Sequence, residues 1–269
     1  MGRLDDLFAS LATAKRKALV AYLCVGDPSV DESIDLALAC VEAGADVLEL
    51  GVPFSDPTAD GPAIARASQR AIAHGGGLSA TLRAAKAIRA KTSAPIVLFG
   101  YYNPLFVRGD ARAVREASEA GVDALLVVDL PHDEGAELRA AAASTGVAII
   151  PLVAPTSAPA RIDALKHLTP KAAFVYYVSV TGVTGSQAAP LVRASEEAAA
   201  VKRAIGVPIV VGFGIDSPAK ARDAAKHVDG VVVGTAIVTA IENGADAGVA
   251  ARKGAVTNLV RSLRTALDA

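Results

Sequence analysis

The chain has no tryptophan, one methionine and only two cysteines, Cys24 and Cys40, among its 269 residues. Two cysteines cannot build a disulfide framework or a cysteine-rich zinc site, so the chain reads as reduced and cytosolic. Neither sign of charge is in excess: 27 lysines and arginines stand against 28 acidic residues, a net charge of −1. That balance offers no counter-field to a phosphate backbone and argues against nucleic-acid binding as the main task. No apolar run reaches the roughly 18 residues that a membrane span requires. Lys15, Arg16 and Lys17 precede an apolar run, but Asp5, Asp6 and the following Asp27-Pro28 argue against a secretion signal. Asp6 stands where N-myristoylation needs a hydroxyl residue.

What is abundant is apolar residues, 52% against 20% charged, which excludes intrinsic disorder and provides for a large core. Short runs rich in Val, Ile and Leu recur at Ala18–Cys24, Asp46–Leu50, Pro95–Gly100, Ala124–Asp129, Val147–Leu152, Ala173–Val178, Val207–Val211 and Gly230–Val233. Most are continuously apolar, as strands covered on both faces are. Alanine-rich amphipathic stretches lie between and after them, at Asp31–Ala43, Ile64–Ala73, Leu78–Ala90, Arg112–Ala120, Gly135–Ala143, Arg161–Leu168, Leu191–Ala204, Ala219–Lys226 and Val249–Leu267. Gly44 and Gly121 stand just past helix ends, and Asp216-Ser217-Pro218 offers a helix start. Strict strand–helix alternation through eight units predicts an α/β fold, a single (β/α)8 TIM barrel domain over residues 1–269 with extra helices. A doubly wound sheet of six or seven strands is the alternative.

In such a barrel, chemistry sits at the C-terminal strand ends and in the loops that follow. In Asp46-Val47-Leu48-Glu49-Leu50, alternation turns Val47 and Glu49 towards the barrel axis and both leucines towards the helices. A carboxylate in an apolar mouth resists ionisation and suits a proton shuttle, unless it is a structural acid paired with an arginine. In the loop that follows, Asp56 and Asp60 are candidates for a second acid/base. Spacing alone favours Asp60 as the cap of a helix beginning near Gly61-Pro62. Gly212-Phe213-Gly214 and Val233-Gly234-Thr235 end the last two strands and precede helix starts. Both allow a phosphate to approach backbone N–H groups without any lysine. Gly182 and Gly185 flank a segment suited to a mobile lid. Gly75-Gly76-Gly77 follows a helix and is a helix–helix connection. The four histidines are scattered, no metal cluster is discernible, and no strand end carries a lysine for a Schiff base.

The segment Leu48–Pro62, with sequence LELGVPFSDPTADGP, closely resembles the signature of the tryptophan synthase α-subunit family. Similarity continues through Gly100-Tyr101-Tyr102-Asn103-Pro104, Val128–Pro131, Thr181–Gly185, Gly212–Ile215 and Val233–Ala236, in order along nearly the whole chain. The resemblance implies a cytoplasmic lyase of tryptophan biosynthesis that cleaves indole-3-glycerol phosphate, retro-aldol fashion, to indole and glyceraldehyde 3-phosphate. It assigns proton exchange to Glu49 and stabilisation of the cationic intermediate to Asp60, reversing the cap reading. By the same resemblance Gly185, Gly214, Gly234 and Thr235 hold the phosphate, while Tyr22, Tyr176 and Phe213 line the indole pocket. Thr184 belongs to the lid and bonds Asp60. Pro53, Asp56 and the Tyr101–Phe106 loop, including Asn103, form the face that meets a β subunit in an α2β2 heterotetramer. The resemblance places pyridoxal phosphate in that partner and no cofactor in this chain; Asp129 is a supporting candidate. Thr58 and Val180 depart from the usual family residues, which leaves loop packing and lid contacts open. A free-standing indole-releasing lyase and a non-catalytic regulatory subunit are the other readings.

Overall fold

The computed structural model describes residues 2–131, 133–168, 173–178, 188–212 and 214–269. Its parallel strands are β1 (Ala18–Cys24), β2 (Val47–Gly51), β3 (Ile96–Gly100), β4 (Ala124–Val127), β5 (Ala148–Ile149), β6 (Leu152–Val153), β7 (Val175–Val178), β8 (Ile209–Gly212) and β9 (Gly230–Val233). Among the described residues they form one nine-stranded sheet in the order β5-β4-β3-β2-β1-β9-β8-β7-β6. All eight expected runs form strands, and the fifth is divided in two. Pro151 has no N–H to give to the ladder, so Val147–Leu152 cannot be one regular strand. The carbonyls still bridge the gap: Ile150 N–H donates to Leu125 at 2.9 Å, and Tyr176 N–H donates to Pro151 at 3.0 Å. The two ends of the sheet, β5 and β6, are therefore joined by Ile150 and Pro151, and the sheet curls round on itself as a barrel.

The helices are α1 (Arg3–Ala14), α2 (Val30–Glu42), α3 (Pro62–Ala73), α4 (Leu78–Arg89), α5 (Tyr102–Arg108), α6 (Asp110–Glu119), α7 (Ala136–Ala142), α8 (Pro159–Leu168), α9 (Ala188–Ile205), α10 (Pro218–Ala225), α11 (Thr235–Asn243) and α12 (Val249–Asp268). Three of them, α1, α5 and α11, lie outside the amphipathic stretches that the sequence pattern predicts. Helix α1 buries Leu4, Phe8 and Leu11, and Phe8 meets Phe174 at a ring-centroid distance of 5.3 Å. It packs with Ala18, Val20 and Phe174 and so closes the N-terminal end of the barrel. The glycine and cap signals hold: Gly121 has φ +81° just past α6, and the Ser217 side chain accepts from Lys220 N–H at the start of α10.

The alternation along β2 divides the core into its two layers. Leu48 and Leu50 pack outward with Leu36, Ala37 and Cys40, while Val47 packs inside with Val20, Val97 and Leu126. At the N-terminal end one device occurs three times. Asp46, Asp123 and Asp229 accept from the N–H groups of Leu19, Ile96 and Ile209 on the neighbouring strands, each at 2.8–2.9 Å. Arg264, Arg89 and Lys202 compensate these carboxylates at 2.9, 2.8 and 2.5 Å. That end is built for stability, and the functional candidates gather at the other.

Candidate active site

The C-terminal mouth holds a cavity of about 200 Å³. Tyr22 from β1, Glu49 from β2, Phe99 from β3 and Tyr176 from β7 line it, with Asp60 from the β2–α3 loop. Glu49 is opposite Tyr22 in the β1–β2 register and opposite Val97 in the β2–β3 register. The rings supply an apolar lining: Tyr22 and Phe99 meet edge to face at 5.3 Å and 79°. Sequence reasoning missed the residues that make room for the tyrosines. A Cβ at Gly51 would strike the Tyr22 hydroxyl, and one at Gly212 would strike the Tyr176 hydroxyl. Each tyrosine thus reaches across a neighbouring strand at a position where only glycine leaves space.

Glu49 is 1% exposed, and its Oε1 has no hydrogen-bond partner among the described residues. Burial is the main cause that lifts its pKa from 4.5 to about 8, and the negative charge of Asp60 pushes the same way. No arginine or lysine stands among the lining residues, and no ion pair among the described residues includes Glu49. Asp60 is less enclosed. Burial raises its pKa from 3.8 to about 6, opposed by interaction with the Tyr101 hydroxyl. The two carboxyl groups therefore differ near neutrality: Glu49 holds a proton and Asp60 is ionised. Burial pushes the phenols of Tyr22 and Tyr176 well upward, which keeps both protonated.

Asp60 is not the helix cap that spacing favoured. Gly61 is the N-cap of α3 and Pro62 its first residue, so the Asp60 side chain is left to the cavity. Asp56 goes elsewhere: it is exposed and accepts from the Ser55 hydroxyl at 2.6 Å.

The two glycine turns converge on the same cavity, where Gly214, Ile215, Gly234 and Thr235 form part of the wall. Gly214 has φ +67°, a conformation that favours glycine. The helices they precede are not equivalent. Ser217 caps α10, whereas Gly234 at the N-cap of α11 provides no side-chain acceptor. The first N–H groups of α11 and its dipole are left for an anion, with the Thr235 hydroxyl beside them.

The remaining expected residues lie in several places. Thr184, Gly185 and Phe213 lie outside the described residues, as do the rest of the lid segment and Val180. Asn103 is exposed on α5, next to the apolar side chains of Phe106 (65% exposed) and Val107 (77%). The Tyr101–Phe106 segment is thus mostly helix where a loop was expected. Pro53 is buried and Thr58 exposed. Asp129 accepts from Tyr102 N–H at 2.7 Å at the start of α5. Among the described residues no group of three or more His, Cys, Asp or Glu side chains could hold a metal ion.

Fold and site together define a parallel α/β barrel whose aromatic-lined cavity holds two unlike carboxyl groups and the uncapped N-terminus of a helix. The chain belongs to the tryptophan synthase alpha chain family, whose profile matches residues 8–266. It is 47% identical over 242 residues to the tryptophan synthase alpha chain of Geotalea daltonii, covering 90% of this chain and 91% of that one. It is 48% identical to that of Citrifermentans bemidjiense, covering 90% of each. The crystal structure of tryptophan synthase subunit alpha from Legionella pneumophila superposes with a TM-score of 0.91 at 33% identity, covering 100% of this chain and 99% of that one. A chain of M. tuberculosis tryptophan synthase in its aminoacrylate-bound form gives 0.87 at 34% identity, covering 99% of this chain and 100% of that one.

Proposed function

We propose that this chain cleaves indole-3-glycerol phosphate to indole and glyceraldehyde 3-phosphate as the α subunit of a tryptophan synthase in the cytoplasm. The observation that carries the assignment of residues is the buried Glu49 carboxyl, whose Oε1 has no partner among the described residues, in the same cavity as Asp60 and the uncapped end of α11. Indole is a poor leaving group until its C3 accepts a proton. Protonated Glu49 supplies that proton, and the ring becomes an iminium cation. Asp60, ionised at neutral pH, faces the ring N–H and offsets the new charge. Glu49, now a carboxylate, removes the proton of the hydroxyl on the adjacent side-chain carbon. The O–H electron pair becomes the carbonyl, the carbon–carbon bond breaks, and its electrons restore the indole ring. Glu49 recovers the proton it gave, so the cycle closes with no cofactor.

Positioning supplies the rest. Gly214, Gly234 and Thr235 hold the phosphate, with Gly185 assigned there by family resemblance, while Tyr22 and Tyr176 bracket the ring with Phe213. Family resemblance assigns Thr184, which lies outside the described residues, to a lid that bonds Asp60. Asp56 and Asn103, both exposed, and the buried Pro53 belong to a face for a β subunit that carries pyridoxal phosphate, in an α2β2 assembly. The test is release of glyceraldehyde 3-phosphate by the purified chain with and without a tryptophan synthase β subunit. Weak release alone and strong release with the partner are expected, and Glu49→Gln should abolish cleavage while leaving partner binding intact. No release from folded chain with the β subunit bound would overturn the assignment.

A further inference from the structure

Arg70, in the last part of α3, joins three elements that reach the cavity. Its guanidinium donates through Nε and Nη2 to the two oxygens of Asp27, at 2.9 and 2.8 Å. Through Nη1 it also donates to Oε1 of Glu242 at 2.7 Å. Asp27 follows β1 and is 2% exposed, while Glu242 stands in the last turn of α11. Arg66, one turn earlier on α3, donates to both oxygens of Glu242 at 2.9 and 2.8 Å. Glu242 lies at the negative end of the α11 dipole, where an anion is disfavoured without such partners.

Each of the three elements contributes to the active-site cavity. Tyr22 is on β1, Asp60 stands just before α3, and Thr235 begins α11. Gly61 and Ile64 line the cavity as well, so α3 and α11 both start at its wall. At 1.5 Å per residue, Arg70 and Glu242 lie roughly 10–12 Å along their helices from those starts, a short and stiff lever. The seating of α3 leaves no slack. A Cβ at Gly26, after β1, would come 3.1 Å from the Ala71 side chain, and one at Gly76 would come 2.9 Å from Pro53 in the loop that carries Asp60. Arg70 is not among the lining residues, so any effect on the reaction passes through the helices it joins. A buried ion pair adds little net stability over an apolar pair of the same volume, but its bonds are directional. Two carboxylates held on one rigid plane fix the placement of the elements that carry them.

We propose that Arg70 is a positioning residue that locks the start of α11 to the start of α3, so that an anion seated at Gly234 and Thr235 also fixes the place of Asp60. The identity of that anion rests on the functional reading above. The mechanical link is testable without turnover.

The decisive measurement is amide hydrogen exchange in the full chain with and without glycerol phosphate. In the wild type the ligand should slow exchange at the Asp60 and Ala65 N–H groups, which bond to Pro57 and Gly61, by about tenfold. Arg70→Lys keeps a positive charge beside Asp27 but cannot bridge two carboxylates. Glu242→Gln, at a side chain 26% exposed, weakens the same link from the other side and serves if the lysine variant does not fold. Either variant should lose that slowing while binding glycerol phosphate about fivefold more weakly. With the β subunit present, at a temperature where the variants are fully folded, kcat should fall about tenfold. The double variant should be no slower than the slower single variant, because the clasp acts as one unit. A clasp that only stabilises the fold would leave kcat and the exchange response of the folded variants at wild-type values. That result would overturn the proposal, as would full rescue by lysine, additive losses in the double variant, or no slowing at Asp60 in the wild type. A wild type that binds glycerol phosphate but releases no glyceraldehyde 3-phosphate would sink the functional reading alone, and exchange would still decide the role of Arg70. One that binds no glycerol phosphate would sink both.

Discussion

Replacing Glu49 with glutamine should make the folded chain more stable, and increasingly so as the pH rises. Inside the barrel the carboxyl gives up its proton near pH 8; in the unfolded chain it does so near its ordinary value of 4.5. Between those values the folded state binds the extra proton, so raising the pH favours unfolding. The wild type keeps this contribution in full below about pH 4.5 and loses it as the pH climbs to about 8. At 1.36 kcal/mol per unit the displacement corresponds to roughly 4–5 kcal/mol as a ceiling, which water entering the cavity would reduce. Glutamine is nearly the same shape and cannot ionise. Urea unfolding of both proteins at pH 5, 7 and 9 tests this, with the m-values checked for equality. The variant's advantage should grow by at least about 2 kcal/mol from pH 5 to pH 9. A difference that stays constant across that range would show that Glu49 is not a desolvated acid, and the proton-shuttle role would fall with it.

The same pair of carboxyl groups predicts a bell-shaped dependence of kcat/KM, rising as Asp60 ionises near pH 6 and falling as Glu49 loses its proton near pH 8. A flat profile between pH 5 and 9 would contradict it. Gly212→Ala should displace the Tyr176 hydroxyl, lowering kcat/KM by about ten- to a hundredfold and stability by about 1–3 kcal/mol; steady-state kinetics and urea unfolding report both, and wild-type kinetics would mean the ring has room elsewhere. Arg70 clamps the 2%-exposed side chain of Asp27 through two bonds of 2.8 and 2.9 Å and also bonds Glu242. Arg70→Ala leaves that carboxylate buried and unpaired, for an expected loss of about 2–3 kcal/mol in urea unfolding, discounted because Arg70 is itself one-third exposed. A loss below about 0.5 kcal/mol would show that Asp27 finds water or another partner.

Much of the fold was legible in sequence because periodicity is a local property. β1 and β9 match their apolar runs end for end, and Glu49 could be turned inward by counting alternate residues. Leu4, Phe8 and Leu11 also recur at helical spacing, so the pattern of α1 is local too. The aspartates at 46, 123 and 229 were visible just before their strands, but their partners lie on neighbouring strands.

By itself, then, the sequence determined the alternation of strands and helices, the inward aim of Glu49 and the glycines that end the last two strands. Only tertiary structure decided three matters. Spacing favoured Asp60 as a helix cap, but Gly61 takes the N-cap of α3 and leaves the Asp60 side chain to the cavity. Ser217 was legible as the cap of α10, but that Gly234 is the N-cap of α11 and leaves that helix end without a side-chain acceptor was not. The pKa order of Glu49 and Asp60 follows from the deeper burial of Glu49. Burial and electrostatic coupling depend on what closes around a group, and that is not encoded in its immediate neighbours.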